Sequence, residues 1–308
     1  MSAPVPAPSA PSVAGGWADW IELTKPGITA LICLVAVGGF FLADPAEIRW
    51  LPLGLVVGTG ALASAGSAML NHYLERERDR RMHRTRERPL AAERIASGPA
   101  ALAVGLALVA LGVGAAAAVL NLLTAVSILL GALTYVVVYT VWLKPRSSWN
   151  IVIGGFAGSA PALAGGAAAT GHWSAGVLAL ALLVFLWTPP HFWSLALLLK
   201  DDYARAGLPM LPRMDDVGYS GRVVVVSAAL LVPSAALVGL LGPVAWPAAV
   251  ALVALGCAFT LVAAPLWRGT ERPRARRAFL FSGPYLLGVV AVLVANAALI
   301  RAGVPTGF

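Results

Sequence analysis

Charge is scarce in this 308-residue chain: only 12% of its residues are Asp, Glu, Lys or Arg, where a soluble domain carries roughly a quarter. With 59% hydrophobic residues and a mean hydropathy of +0.82, that shortage excludes an ordinary soluble fold and implies a membrane protein. Cysteine is scarcer still. Cys33 and Cys257 both sit inside apolar runs, so no disulfide framework or thiolate metal site is available, and both read as small core residues. The opening MSAPVPAPSAPSVAGG has no basic residue, no apolar stretch and no amphipathic Arg pattern. It therefore resembles neither a secretory signal nor a transit peptide, and residues 1–16 are expected to be a disordered tail. No repeat of about 20–50 residues is present. The expected organisation is one membrane domain over 17–303, with a short C-terminal tail at 304–308.

What the chain has instead is long apolar runs. Nine are long enough to cross the hydrocarbon layer: 24–43, 51–74, 99–119, 122–143, 149–168, 174–199, 221–241, 243–267 and 278–300. At these lengths a lone segment satisfies its backbone in lipid only as a helix, so the fold class is all-α, a polytopic bundle of nine transmembrane helices. The first and fifth runs are weak helix formers because of Gly38-Gly39 and the Gly-rich IGGFAGSAPALAGG, although small residues suit close helix packing. Pro189-Pro190, Pro233 and Pro284 predict kinks or breaks. Twenty of the 22 Lys and Arg fall on one side of these spans, with only Arg49 and Arg301 opposite. The positive-inside rule then puts the N-terminus and the even loops in the cytoplasm and the C-terminus outside. The net charge of +8 is a topology signal, and nucleic acid is not implied.

One loop carries more than topology requires. NHYLERERDRRMHRTRERPL, residues 71–90, packs seven arginines and four acids behind an uncharged run. A positive-inside loop accounts for the arginines but has no use for acids. Asn71, Glu75 and Asp79 recur at four-residue spacing, which on a helix puts them on one stripe. An amide and two carboxylates are hard oxygen ligands suited to Mg²⁺ that keeps waters and shares its coordination with phosphate. Arg76, Arg78, Arg80, Arg81, Arg84, Arg86 and Arg88 surround them, and guanidinium clamps phosphate oxygens bidentately. A second cluster at the end of the sixth run, LKDDYARAGLPMLP, brings Lys200, Asp201, Asp202 and Arg205 to the same side. Adjacent carboxylates diverge on a helix, so one is expected to face metal and the other a basic partner. A helix cap followed by a solvated loop is the plainer account of that segment.

His191, in TPPHFW, is an ionisable residue within an apolar span, and such residues default to functional hypotheses. The plainer account is a histidine hydrogen-bonded within the bundle. His72 and His83 are expected at the interface, and His172 on the opposite side. Tyr73, Tyr139, Trp187 and Phe192 lie near the predicted cytoplasmic helix ends, where an interfacial belt places aromatic rings.

TKPGIT, the 71–90 block, YTVWLKPRSSWNIVIGGFAGSAPALAG and TPPHFWSLALLLKDDYARAGLPMLP resemble the signature blocks of the UbiA-type intramembrane prenyltransferases, from about residue 20 to residue 300. Within them, RTRERPL and PHFW…DDYARAGLPMLP are similar to the heme-farnesylating branch. The superfamily's first motif is Asn-x₃-Asp-x₃-Asp; here Glu75 stands at the middle position, its carboxylate displaced by one methylene. The resemblance implies a UbiA-like bundle in the bacterial inner membrane with Mg²⁺ as cofactor. It also implies farnesyl diphosphate and heme B as substrates, surrounding membrane lipid, and heme A synthase as downstream partner. Asn71, Glu75, Asp79, Asp201 and Asp202 take the catalytic roles, with Asn71, Glu75, Asp79 and Asp202 as metal ligands. Arg84, Arg88, Lys144, Lys200 and Arg205 are assigned to the diphosphate, and His191 to heme. A quinone precursor or another aromatic acceptor shares the same diphosphate site. A transporter would place its charges near mid-membrane, often at broken helices.

Overall fold

The computed structural model describes residues 16–211 and 217–306, so the expected disordered tail lies almost wholly outside the described residues. Among the described residues nine helices are long and apolar enough to span a membrane: Pro26–Ala43, Trp50–Asp79, Gly98–Val119, Leu122–Leu143, Asn150–Thr170, Ala175–Leu198, Gly218–Leu241, Trp246–Trp267 and Arg272–Arg301. They are numbered here as spans one to nine. Each overlaps its expected run. The second continues past the apolar stretch to Asp79, which carries Asn71, Glu75 and Asp79 on one unbroken helix. The third, fourth and sixth spans start at N-caps, where Ser97, Asn121 and Ser174 side chains accept from the backbone N–H groups of Ala100, Thr124 and Val177.

Glycine limits the first and fifth spans less than propensity implies. The two lie so close that a Cβ on Gly39 would collide with the Ala162 carbonyl, and one on Gly165 with that of Ala36. Backbone contact between helices takes the place of side-chain packing, as small residues allow in lipid. The prolines act unevenly. Helix runs continuously through Pro189-Pro190 and through Pro284, while the seventh span is interrupted at Leu230, upstream of Pro233. The fifth is interrupted at Gly155.

The fourth span departs from α-helix altogether. From Thr134 to Leu143 it winds as a π-helix, closed by Lys144 N–H donating to the Tyr139 carbonyl at 2.9 Å. Residues five apart then align, so Tyr135 stands beneath Thr140 and Tyr139 beneath Lys144 on one face. Such π segments concentrate at functional sites. Spans six to nine share a buried core around Leu180, Val184, Leu231, Leu252, Phe259, Tyr285 and Leu293. This cluster forms a rigid backing for the sixth span. The thiols differ from expectation: Cys33 is half-buried, while Cys257 is exposed on the bundle's outer surface, where an apolar residue satisfies lipid as well as a core would.

Candidate active site

A cavity of about 580 Å³ opens between the first, second, fourth, fifth and sixth spans, within the range typical of small-molecule sites. Ile28, Ile32, Val56, Ile128 and Ala164 wall its apolar body. One end is polar, formed by Lys25, Asn71, Glu75, Asp79, Arg84, Arg88 and Lys144.

The stripe read from the sequence is present, and each member is already engaged. Asn71 Nδ2 donates to Glu75 Oε2 and to Thr140 Oγ1, both at 3.0 Å, while its Oδ1 accepts from Lys25 Nζ at 2.6 Å. Lys144 Nζ sits 2.5 Å from Glu75 Oε1, with Glu75 3% and Lys144 14% exposed. Arg88 Nη1 donates to both oxygens of Asp79, at 3.0 and 2.8 Å. The buried acids and buried cations thus neutralise one another pairwise. Of the seven loop arginines only Arg84 and Arg88 line the cavity; Arg80 pairs with Glu77 and Glu93, and Arg76 with Glu77.

Lys25 is a site residue that the sequence does not single out: in TKPGIT it is one of the twenty basic residues on the charged side. It precedes Pro26 in a left-handed backbone conformation, φ 47° and ψ 63°, uncommon for a residue with a Cβ. That turn carries Nζ into the cavity's polar end, where it also reaches Tyr135 OH at 3.0 Å. Burial, with the charge of Arg88 adding to it, pushes the Lys25 ammonium down to about 7.

The second cluster is placed differently. Lys200, Asp201 and Arg205 are exposed and stand outside the cavity lining. Asp202 is buried, also outside the lining, and accepts from the backbone N–H groups of His83 and Arg84 at 3.3 and 3.2 Å, with Arg205 as its ion-pair partner. Burial opposes its charge, but the Arg84 N–H, the Arg205 guanidinium and the His83 N–H outweigh that and hold its carboxyl below the usual carboxylate range. Asp202 therefore ties the segment after the sixth span to the turn that carries Arg84. Tyr203 beside it does line the cavity.

His191 faces the cavity from the sixth span. Its ring stacks on Trp187 with centroids 4.5 Å apart, and Phe279 of the ninth span packs against it at 5.3 Å. Tyr139, Trp187 and Phe192 all line the cavity, whereas Tyr73 lies outside the lining and stacks under Arg76. His72 is a correction to the expected interfacial position. It is 2% exposed, lines the cavity, and has no partner for either ring nitrogen among the described residues. The second helix extends far enough to carry it inside.

Among the described residues no three His, Cys, Asp or Glu side chains converge as a metal cage. The donors that do face the cavity, one amide and two carboxylates on a single stripe, fit Mg²⁺ bound through one or two carboxylates and sharing its remaining positions with substrate phosphate and water.

A protoheme IX farnesyltransferase of Sulfurisphaera tokodaii is 40% identical over 282 residues, covering 90% of this chain and 92% of its own. Protoheme IX farnesyltransferase 1 of Pseudomonas putida is 41% identical over 286 residues, covering 91% and 94%. Among solved structures, a digeranylgeranylglyceryl phosphate synthase superposes with a TM-score of 0.73 at 18% identity, over 91% of this chain and 98% of that one. A UbiA homolog from Archaeoglobus fulgidus bound to GPP and Mg²⁺ gives 0.68 at 19%, over 89% and 99%. At such identities these two speak for the fold. The UbiA prenyltransferase family profile matches residues 31–284, and with relatives this similar along nearly their whole length, the chain belongs to that family.

Proposed function

We propose that this protein transfers the farnesyl group of farnesyl diphosphate to a vinyl group of heme B. The observation that carries the reading is the cavity's polarity: a cationic, carboxylate-bearing end opens into an apolar chamber with a histidine on its wall. The heme-specific part is supported by relatives about 40% identical that are named protoheme IX farnesyltransferases. In the reaction the C1–O bond breaks, diphosphate leaves, and the vinyl carbon bonds to the allylic C1. Water then adds to the resulting cation beside the macrocycle and loses a proton, giving a hydroxyethylfarnesyl group.

The chain's part is binding and electrostatics. Arg88, Lys144 and Lys25, each now held by an acid or amide of the stripe, exchange those partners for diphosphate oxygens as the substrate enters. Arg84 flanks the same end. The oxygens released on Asn71, Glu75 and Asp79 are the ligands for Mg²⁺, which supplies charge neutralisation to the leaving diphosphate when bound. Tyr139, Trp187 and Phe192 offer electron-rich faces to an allylic cation and keep water from it. Asp202 holds the Arg84 turn, with Lys200, Asp201 and Arg205 on the surface beside it. The polar end opens to the cytoplasm if the basic loops follow the positive-inside rule, with the C-terminus outside, in a bacterial inner membrane.

Deleting the gene and analysing the extracted pigments tests the assignment. Loss of heme O and heme A with heme B and quinones retained supports it. Loss of quinone with normal hemes would move the protein to an aromatic acceptor of the same fold.

A further inference from the structure

The hydrogen bonds around His191 fix which of its nitrogens carries the proton. Nδ1 lies 2.6 Å from Ser282 Oγ, and the same Oγ lies 2.5 Å from the Phe279 carbonyl oxygen. A serine hydroxyl has one hydrogen. Two oxygens at 2.5 Å repel unless that hydrogen lies between them, so Ser282 donates to the carbonyl and can only accept from the imidazole. Nδ1 is therefore the protonated nitrogen, and Nε2 carries the lone pair. No hydrogen bond to Nε2 is found among the described residues, and the half-buried ring lines the cavity. The ring is fixed as well as its tautomer. Trp187 stacks on one face, Phe279 packs against it, and Trp187 Nε1 donates to the Ser282 carbonyl at 2.9 Å, tying the sixth span to the ninth.

We infer that Ser282 is a positioning residue for the acceptor substrate: by taking the Nδ1 proton it presents an unprotonated Nε2 to the heme iron. The inference rests on the proposed heme reading. A metal-bound histidine almost always donates its other N–H to an oxygen, which sets ring orientation and ligand basicity. Here that oxygen is on the ninth span, 91 residues away in sequence. A histidine that only joined the two spans would not need a place on the cavity wall.

Ferric heme B titrated into the purified full-length protein in detergent tests this. Affinity is read from the Soret band, and axial ligation from EPR and the ferrous iron–histidine stretch. The native protein should show histidine ligation, and His191→Ala should lose it. Ser282→Ala should weaken heme binding about 10–100-fold and lower the iron–histidine frequency, while Ser282→Thr restores both. Ser282→Cys, a weaker acceptor of similar size, gives the same direction should the alanine protein fail to fold. Farnesyl diphosphate affinity stays unchanged in all of them, which separates local from global damage. Native frequency and affinity in Ser282→Ala and Ser282→Cys would overturn the inference, as would native ligation in His191→Ala. Failure of the heme reading shows elsewhere, as absence of farnesylated heme from the native enzyme.

Discussion

Lys144→Met removes the ammonium from the most closely approached pair in the site and leaves its partner behind. Glu75 is 3% exposed, its Oε1 faces Lys144 Nζ at 2.5 Å, and its Oε2 accepts only from Asn71. Breaking a buried ion pair by deleting one member costs about 3–5 kcal/mol, because the surviving charge stays desolvated. At about 2–4 °C per kcal/mol, the scale for large domains, the melting temperature in metal-free detergent should fall by roughly 6–20 °C. The same deletion frees a carboxylate beside Asp79. Mg²⁺ without diphosphate should then bind the variant and restore part of the loss, about 2.7 kcal/mol at a concentration 100 times its Kd. The native protein, whose acids are already neutralised by Arg88 and Lys144, should respond to Mg²⁺ together with farnesyl diphosphate and scarcely to Mg²⁺ alone. Intrinsic-fluorescence melting across a Mg²⁺ series measures all of this. A variant as stable as the native protein without metal, or equal Mg²⁺ shifts in both, would refute the pairwise-neutralised site.

Three further outcomes are expected. With Lys25 lowered to about 7 in the empty site, diphosphate binding raises it. Affinity for farnesyl diphosphate is then fully present below pH 7 and declines as pH rises from there, and Lys25→Arg removes the decline in calorimetric titrations. Asp79→Ala loses turnover while the protein remains in the membrane, whereas Glu75→Asp, which restores the usual family residue, keeps activity; product analysis on isolated membranes checks both. Cysteines introduced at positions 86 and 204 resist impermeant maleimides applied to intact cells, and labelling from outside would reverse the orientation.

Much of this was legible in the sequence because the signals are local. Nine apolar runs gave nine spans, and four-residue spacing gave the Asn71–Glu75–Asp79 stripe. What stayed hidden depends on tertiary geometry. Lys25 enters the site only because its backbone turns left-handed before Pro26, and no residue type announces that turn. The π-helix at Thr134–Leu143 aligns Tyr135 with Thr140 and Tyr139 with Lys144, while its composition reads as ordinary apolar helix. Ser282 looked like one small polar residue in a span until the ninth helix brought it against His191. Pro189 and Pro190 leave the sixth span an unbroken helix, so of the kinks or breaks expected there no break occurs. Gly39 and Gly165 read as helix weakeners but permit the closest backbone approach in the bundle.

The most direct test of the central claim is conversion by the purified protein. Reconstituted in lipid with heme B, farnesyl diphosphate and Mg²⁺, it should yield a heme heavier by one farnesyl group and one hydroxyl, resolved by liquid chromatography and mass spectrometry, and yield none when Arg88 is replaced by Met. Unchanged heme B beside prenylation of an aromatic acceptor offered in the same vesicles, or full heme conversion by the Arg88→Met protein, would contradict the account.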